Sequence, residues 1–169
     1  MWRCPIAMLA LASLALAGTR PAPAAETLPK EIQQELEHHR ASCRELEGDL
    51  ADADKAVRRV DLDGDGRPDF VVHMSESPCT GGHAPYCTTG GCALILYLST
   101  PKGVARIFDG VAWSYEILGE GTRKSIRLRM HGGYCGLGGA EECFRTHRIT
   151  GKPFDFKQWC CARRKKDAA

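Results

Sequence analysis

Four carboxylates fall within nine residues at Asp61-Leu62-Asp63-Gly64-Asp65-Gly66-Arg67-Pro68-Asp69. Hard cations such as Ca2+ take about six to eight oxygen ligands from carboxylates, carbonyls and water. Carboxylates on alternate residues of a tight loop converge on one point, provided that glycines allow the turn. Without a cation the four would repel one another. The spacing therefore assigns side-chain oxygens to Asp61, Asp63 and Asp65, a backbone carbonyl to Arg67, and closure of the shell to Asp69. A metal-free Asx/Gly turn is the competing reading.

The second group that could do chemistry is sulfur. The chain has 169 residues, 9 Cys and 18 Gly. Met1 to Arg3 followed by the apolar stretch Ile6–Ala17 and small residues up to Ala25 reads as a secretory signal at residues 1–25, cleaved near Ala24 or Ala25. The apolar stretch is too short to span a bilayer, so no transmembrane anchor is expected after cleavage. Cleavage removes Cys4, Arg3 and Arg20 and leaves 144 residues, no net charge and eight cysteines. An even count in an exported chain reads as a disulfide framework. Tyr86-Cys87-Thr88-Thr89-Gly90-Gly91-Cys92 and Tyr134-Cys135-Gly136-Leu137-Gly138-Gly139, the latter ending in Cys143, share a Tyr-Cys-x-x-Gly-Gly core. Glycines relieve the backbone where a small ring closes, so Cys87–Cys92 and Cys135–Cys143 are expected as local bridges. Cys43–Cys79 would be the long staple, while Cys160 and Cys161 fit no scheme. The spacing Cys79-x3-His83-x3-Cys87-x4-Cys92 also suits zinc or copper, but an oxidising compartment consumes the thiols first.

The elements that must position these groups are legible from periodicity. From Thr27 to Gly48, Leu28, Ile32, Leu36, Cys43 and Leu46 mark one face of a helix. Pro29 suits its first turn, Gly48 its stop. Glu31, Glu35 and Glu37 precede Arg40 and Arg44, as the helix dipole favours. His38 and His39 read as solvated or half-packed. Strands are expected at Ala56–Val60, Phe70–Met74, Ala93–Ser99, Val104–Phe108, Trp113–Leu118, Ile126–Met130 and Phe144–Thr150, with Phe154–Phe156 after a Gly-Lys-Pro turn. The continuous apolar run at Ala93–Ser99 predicts a central strand covered on both faces. The fold class is thus α+β: an amphipathic helix (residues 26–50) on a small, mostly antiparallel meander (51–158), stapled by disulfides, with a basic tail at 159–169.

An EF-hand fails as a parallel for the Asp loop. With Asp61 as position 1, position 12 is Val72 rather than the bidentate Glu, and the flanks read as strands. The segment instead resembles the Asp-x-Asp-x-Asp-Gly-x-x-Asp loop of FG-GAP/VCBS-type repeats, seen also in integrin α-chain propeller blades. That resemblance implies a Ca2+ loop joining two antiparallel strands. It covers about 20 residues in a single copy, which excludes a propeller of several blades. The wider order of signal segment, Asp loop with Pro-Asp-Phe, Cys-x4-Cys glycine loop, aliphatic strand and His-Gly-Gly-Tyr-Cys is similar to a set of small exported bacterial proteins. This second likeness implies a periplasmic or secreted home and no activity.

Near-zero charge gives no reason to expect a nucleic-acid partner. There is no Gly-x-Ser-x-Gly elbow, no His-Glu-x-x-His, no phosphate loop and no Cys-x-x-Cys. The expected role is therefore a non-catalytic, exported calcium-binding module whose partner, if any, is an envelope or extracellular protein. Two other readings use the same residues. One is an inhibitor that wedges a disulfide loop into a cell-envelope hydrolase or protease. The other is a hydrolase in which His131 or His73 meets Glu76, Glu141 or Glu142.

Overall fold

A computed structural model describes residues 27–81 and 84–154. The signal segment, His83, most of the strand expected at Phe154–Phe156, Cys160, Cys161 and the basic tail lie outside them. The chain begins with α1 (Lys30–Arg44), and Ile32, Leu36, His39 and Cys43 form its buried face. Pro29 caps the helix from outside, its carbonyl accepting the Ile32 and Gln33 N–H groups. Leu46, expected on the apolar face, is 46% exposed because the helix has ended before it. The left-handed residue at the exit is Glu47 (φ 57°), and the Gly48 N–H reaches back to the Cys43 carbonyl. Gly48 is instead required by a close approach. A Cβ there would overlap the Thr80 carbonyl and lie 2.8 Å from Cys79 Sγ.

Ten strands follow in antiparallel pairs. Short β1 (Asp49–Leu50) pairs with β4 (Cys79–Thr80) beside the Cys43–Cys79 disulfide. β2 (Val57–Val60) and β3 (Asp69–His73) form a hairpin around the Asp loop. β6 (Gly91–Thr100) takes β3 and β5 (Cys87–Thr88) along one edge and β7 (Gly103–Ala112) along the other. At Trp113 the chain leaves this five-stranded sheet. β8 (Ser114–Leu118), β9 (Ser125–His131) and β10 (Glu142–Arg148) make a second sheet in the order β10-β9-β8.

The expected α+β arrangement is present, with a helix on antiparallel sheet, but in three layers rather than one meander. α1 packs on one face of the five-stranded sheet, joining Ile32 and Leu36 to Phe70, Val72, Ile95 and Tyr97. The second sheet covers the other face, where Ile126, Leu128 and Met130 meet Val71, Leu94, Leu96 and Leu98. The alternation along β6 supplies both cores, which is why its apolar run has no polar gaps. Ile107 and Phe108 are adjacent yet both buried, against the two-residue period of a strand. Leu96 pairs with Phe108 and Tyr97 with Arg106, so the register slips at Ile107 and a bulge turns both side chains inward. Phe154 closes the edge of this core, its N–H on the Ile107 carbonyl and its ring 5.5 Å from Phe108.

A polar seam fixes the helix to its sheet. Glu35 lies 3.3 Å from His39, 3.0 Å from Arg106 and 3.4 Å from the Tyr97 hydroxyl. The bond to His39 comes first among the influences that hold the Glu35 carboxyl below its usual range, with Arg106 adding to it against burial. His39 is buried rather than solvated, set edge-on to Tyr86 at 5.2 Å.

Candidate functional site

The Asp loop begins where β2 ends and turns on itself through its own backbone. Asp61 accepts the Gly64 and Gly66 N–H groups, Asp63 accepts that of Asp65, and Asp65 accepts that of Arg67. Gly64 (φ 83°) is pressed against the Gly121 carbonyl of the β8–β9 turn, where any side chain would overlap. These bonds bring one oxygen each of Asp61, Asp63 and Asp65 to within 4.8 Å of one another. Oxygens bound to one Ca2+ at about 2.4 Å lie at most about 4.8 Å apart, so the group has the donor chemistry and spacing of a hard-cation site. A carboxylate offers about four lone-pair positions, and the loop's own N–H groups leave some of them open.

Two protein cations already answer part of this charge. Lys124 Nζ lies 2.7 Å from the Asp61 carbonyl and 3.5 Å from its carboxylate, and the Arg67 guanidinium pairs with Asp65. The Asp61 carboxyl is half-buried, which pushes it up. The Gly64 and Gly66 N–H groups and Lys124 outweigh that and leave it below the usual range. The Arg67 side chain, then its backbone N–H, pulls Asp65 in the same direction.

Asp69 has a different position from its expected one. It is fully buried, and its two oxygens accept the Leu62 N–H at 2.6 Å and the Ser99 N–H at 2.7 Å. Burial pushes its carboxyl up, with the two N–H groups acting against that. Asp69 therefore ties the start of the loop to the end of β6, and it stands outside the grouped oxygens of Asp61, Asp63 and Asp65. Position in the motif gives no sign of this. Neither does it announce Lys124, which lies 63 residues away in sequence.

Among the described residues the sulfurs fall into three bridges, Cys43–Cys79, Cys87–Cys92 and Cys135–Cys143. Three of the four residues of the zinc or copper pattern are thus consumed. Of the histidines and acids of the hydrolase reading, Glu76 stands near His73 through Ser75 Oγ, and the rest are engaged elsewhere. His131 accepts the Gly133 N–H at Nδ1, Glu141 accepts that of Gly138, and Glu142 pairs with Arg129. His73 is buried between the Ala112 carbonyl (Nε2, 3.2 Å) and Ser75 Oγ (Nδ1, 2.9 Å), and burial pushes its pKa down.

Comparison with protein-family models, with curated proteins and with solved structures gives no match. Among the described residues no helix is long and apolar enough to cross a membrane.

Proposed function

We propose that the protein is an exported, non-catalytic binding module in which a Ca2+ ion on Asp61, Asp63 and Asp65 fixes the β2–β3 hairpin. The mutual approach of three carboxylate oxygens within 4.8 Å carries this reading. The antiparallel hairpin around the loop supports it, since this is the setting implied by the FG-GAP/VCBS resemblance. Three disulfides agree with life in an oxidising compartment. The ion would replace the partial neutralisation by Arg67 and would draw further oxygens from the backbone and water. Its role is structural: it holds the hairpin against the β8–β9 turn. Calorimetric titration of the chain with CaCl2 should give saturable heat that disappears in Asp63→Ala. No heat, or the same heat in the variant, overturns the proposal.

A further inference from the structure

The two cysteine loops that share a sequence pattern also face each other in space. Between them lies a cleft of about 360 Å³ lined by Thr88, Thr89, Gly90, His131, Gly133 and Tyr134. This lies within the roughly 300–1,000 Å³ typical of small-ligand sites. We infer that the cleft binds a neutral saccharide, a one- or two-ring unit of a larger glycan. The inference goes beyond the calcium reading and does not depend on it.

The walls are fixed before any ligand arrives. One is the turn closed by Cys87–Cys92, in which Thr88 Oγ1 accepts the Gly90 N–H at 3.1 Å. The other leads into the ring closed by Cys135–Cys143. Trp113, the corner residue between the sheets, joins them. Its indole N–H donates to the Thr89 carbonyl at 2.9 Å, and its ring stands edge-on to His131 at 6.2 Å. Gly139 lies against the far side of the imidazole, where a Cβ would come 2.6 Å from Nε2. With little left to order on binding, such a site keeps more of its contact energy as affinity.

The lining selects the ligand class. It holds no carboxylate, ammonium or guanidinium. Of the nearby guanidinium groups, Arg129 pairs with Glu142 and Arg145 donates to the Tyr134 carbonyl, and neither belongs to the lining. An ionic ligand would therefore lose hydration in a lining with no carboxylate, ammonium or guanidinium to replace it. A wholly apolar ligand would cover the exposed Thr89 hydroxyl without satisfying it, whereas the Gly90 and Gly133 N–H groups are already taken by Thr88 Oγ1 and His131 Nδ1. What the cleft offers is the aromatic ring of Tyr134, at 44% exposure, beside the Thr89 hydroxyl and peptide carbonyls. A pyranose presents the complement: an apolar face of C–H groups and a rim of hydroxyls that donate and accept. Tyr134 can cover the face while its own hydroxyl remains wet.

The test is a 1H–15N titration of the disulfide-intact chain with four neutral trisaccharides, of glucose, galactose, mannose and N-acetylglucosamine, at millimolar concentration. At least one should give saturable shifts confined to Thr88–Gly90, His131–Tyr134 and the Trp113 indole. Tyr134→Ala should weaken that binding about tenfold, and Tyr134→Phe should retain it. Thr89→Arg, at an exposed position whose backbone bond to Trp113 is kept, should block the cleft without unfolding the protein. The inference is overturned if no trisaccharide shifts these residues, or if binding persists unchanged in Tyr134→Ala and Thr89→Arg. A CaCl2 titration of the same samples keeps the two outcomes apart, because calcium binding with a silent cleft overturns only the saccharide site.

Discussion

The two ends of β9 are built on opposite principles. Lys124, just before it, faces the Asp loop, and His131, its last residue, lines the cleft between the cysteine loops. At about 3.3 Å per residue the ends lie roughly 20 Å apart. The acidic end is shaped by hydrogen bonds among charged groups and contains no disulfide. The cysteine end carries two disulfides, and its cleft is lined by no carboxylate, ammonium or guanidinium. The first can be loosened by changing charge. The second changes only when covalent bonds are broken. With the proposed Ca2+ bound, a scaffold that combines the two would keep one end rigid while the other responds to ions.

The largest expected effect tests the acidic end. Asp69→Ala leaves the buried Leu62 N–H and the half-buried Ser99 N–H without acceptors, at about 1–3 kcal/mol for a buried group and less for the other, so urea unfolding should show a loss of about 2–4 kcal/mol. Asp69→Asn retains one acceptor and should lose less. If both variants are as stable as the parent, the acidic end is not organised through this carboxylate. Next comes the cysteine end. Replacing Cys135 and Cys143 together by Ala should cost roughly 2–3 kcal/mol in the loop-entropy model. Hydrogen exchange should rise near His131 and stay unchanged around Asp61. A rise at both ends would show that they are not independent. Third, Ca2+ at a hundredfold excess over its Kd should stabilise the parent by about 2.7 kcal/mol, and EDTA should remove the gain. The increment should be the same in the Cys135/Cys143 variant and absent in Asp63→Ala.

The smallest effect separates the halves by acidity. His73, near the cysteine end, has a folded pKa below its ordinary 6.5 because it is buried. The unfolded chain therefore takes up this proton first, and stability begins to fall as pH drops below about 6.5. Glu35 is depressed chiefly by its bond to His39. Its contribution is complete above about 4.5 and is lost as pH falls through the folded value. Denaturation midpoints measured across pH 2–8 should thus lose the upper step in His73→Gln and the lower one in Glu35→Gln.

Much of this architecture was legible in sequence where one short-range pattern governs the outcome. The apolar run of β6, the alternation of Ile126, Leu128 and Met130, and the glycine-rich spacing of the small cysteine rings all show it. What stayed hidden depends on side chains reaching across the fold. A one-residue corner such as Trp113 has no periodic signature, so two sheets read as one meander. Asp69 matches a ligand position in the motif, yet the N–H groups it meets are Leu62 of its own loop and Ser99 of a strand that only folding brings near. The two Tyr-Cys-x-x-Gly-Gly segments show the limit most directly. Tyr86 is buried, and its hydroxyl donates to the Ser77 carbonyl. Tyr134, at the same place in the pattern, is exposed. α1 covers the first and no layer covers the second.

Leu62, the second residue of the Asp loop, is fully buried among Val71, Leu96 and Ile126. The motif is therefore not a portable cassette. Grafted onto another hairpin, its nine residues would bring a leucine that needs a cavity and would leave a void here. Engineers seeking an ion-responsive turn would have to transplant the hairpin together with the patch of core beneath it.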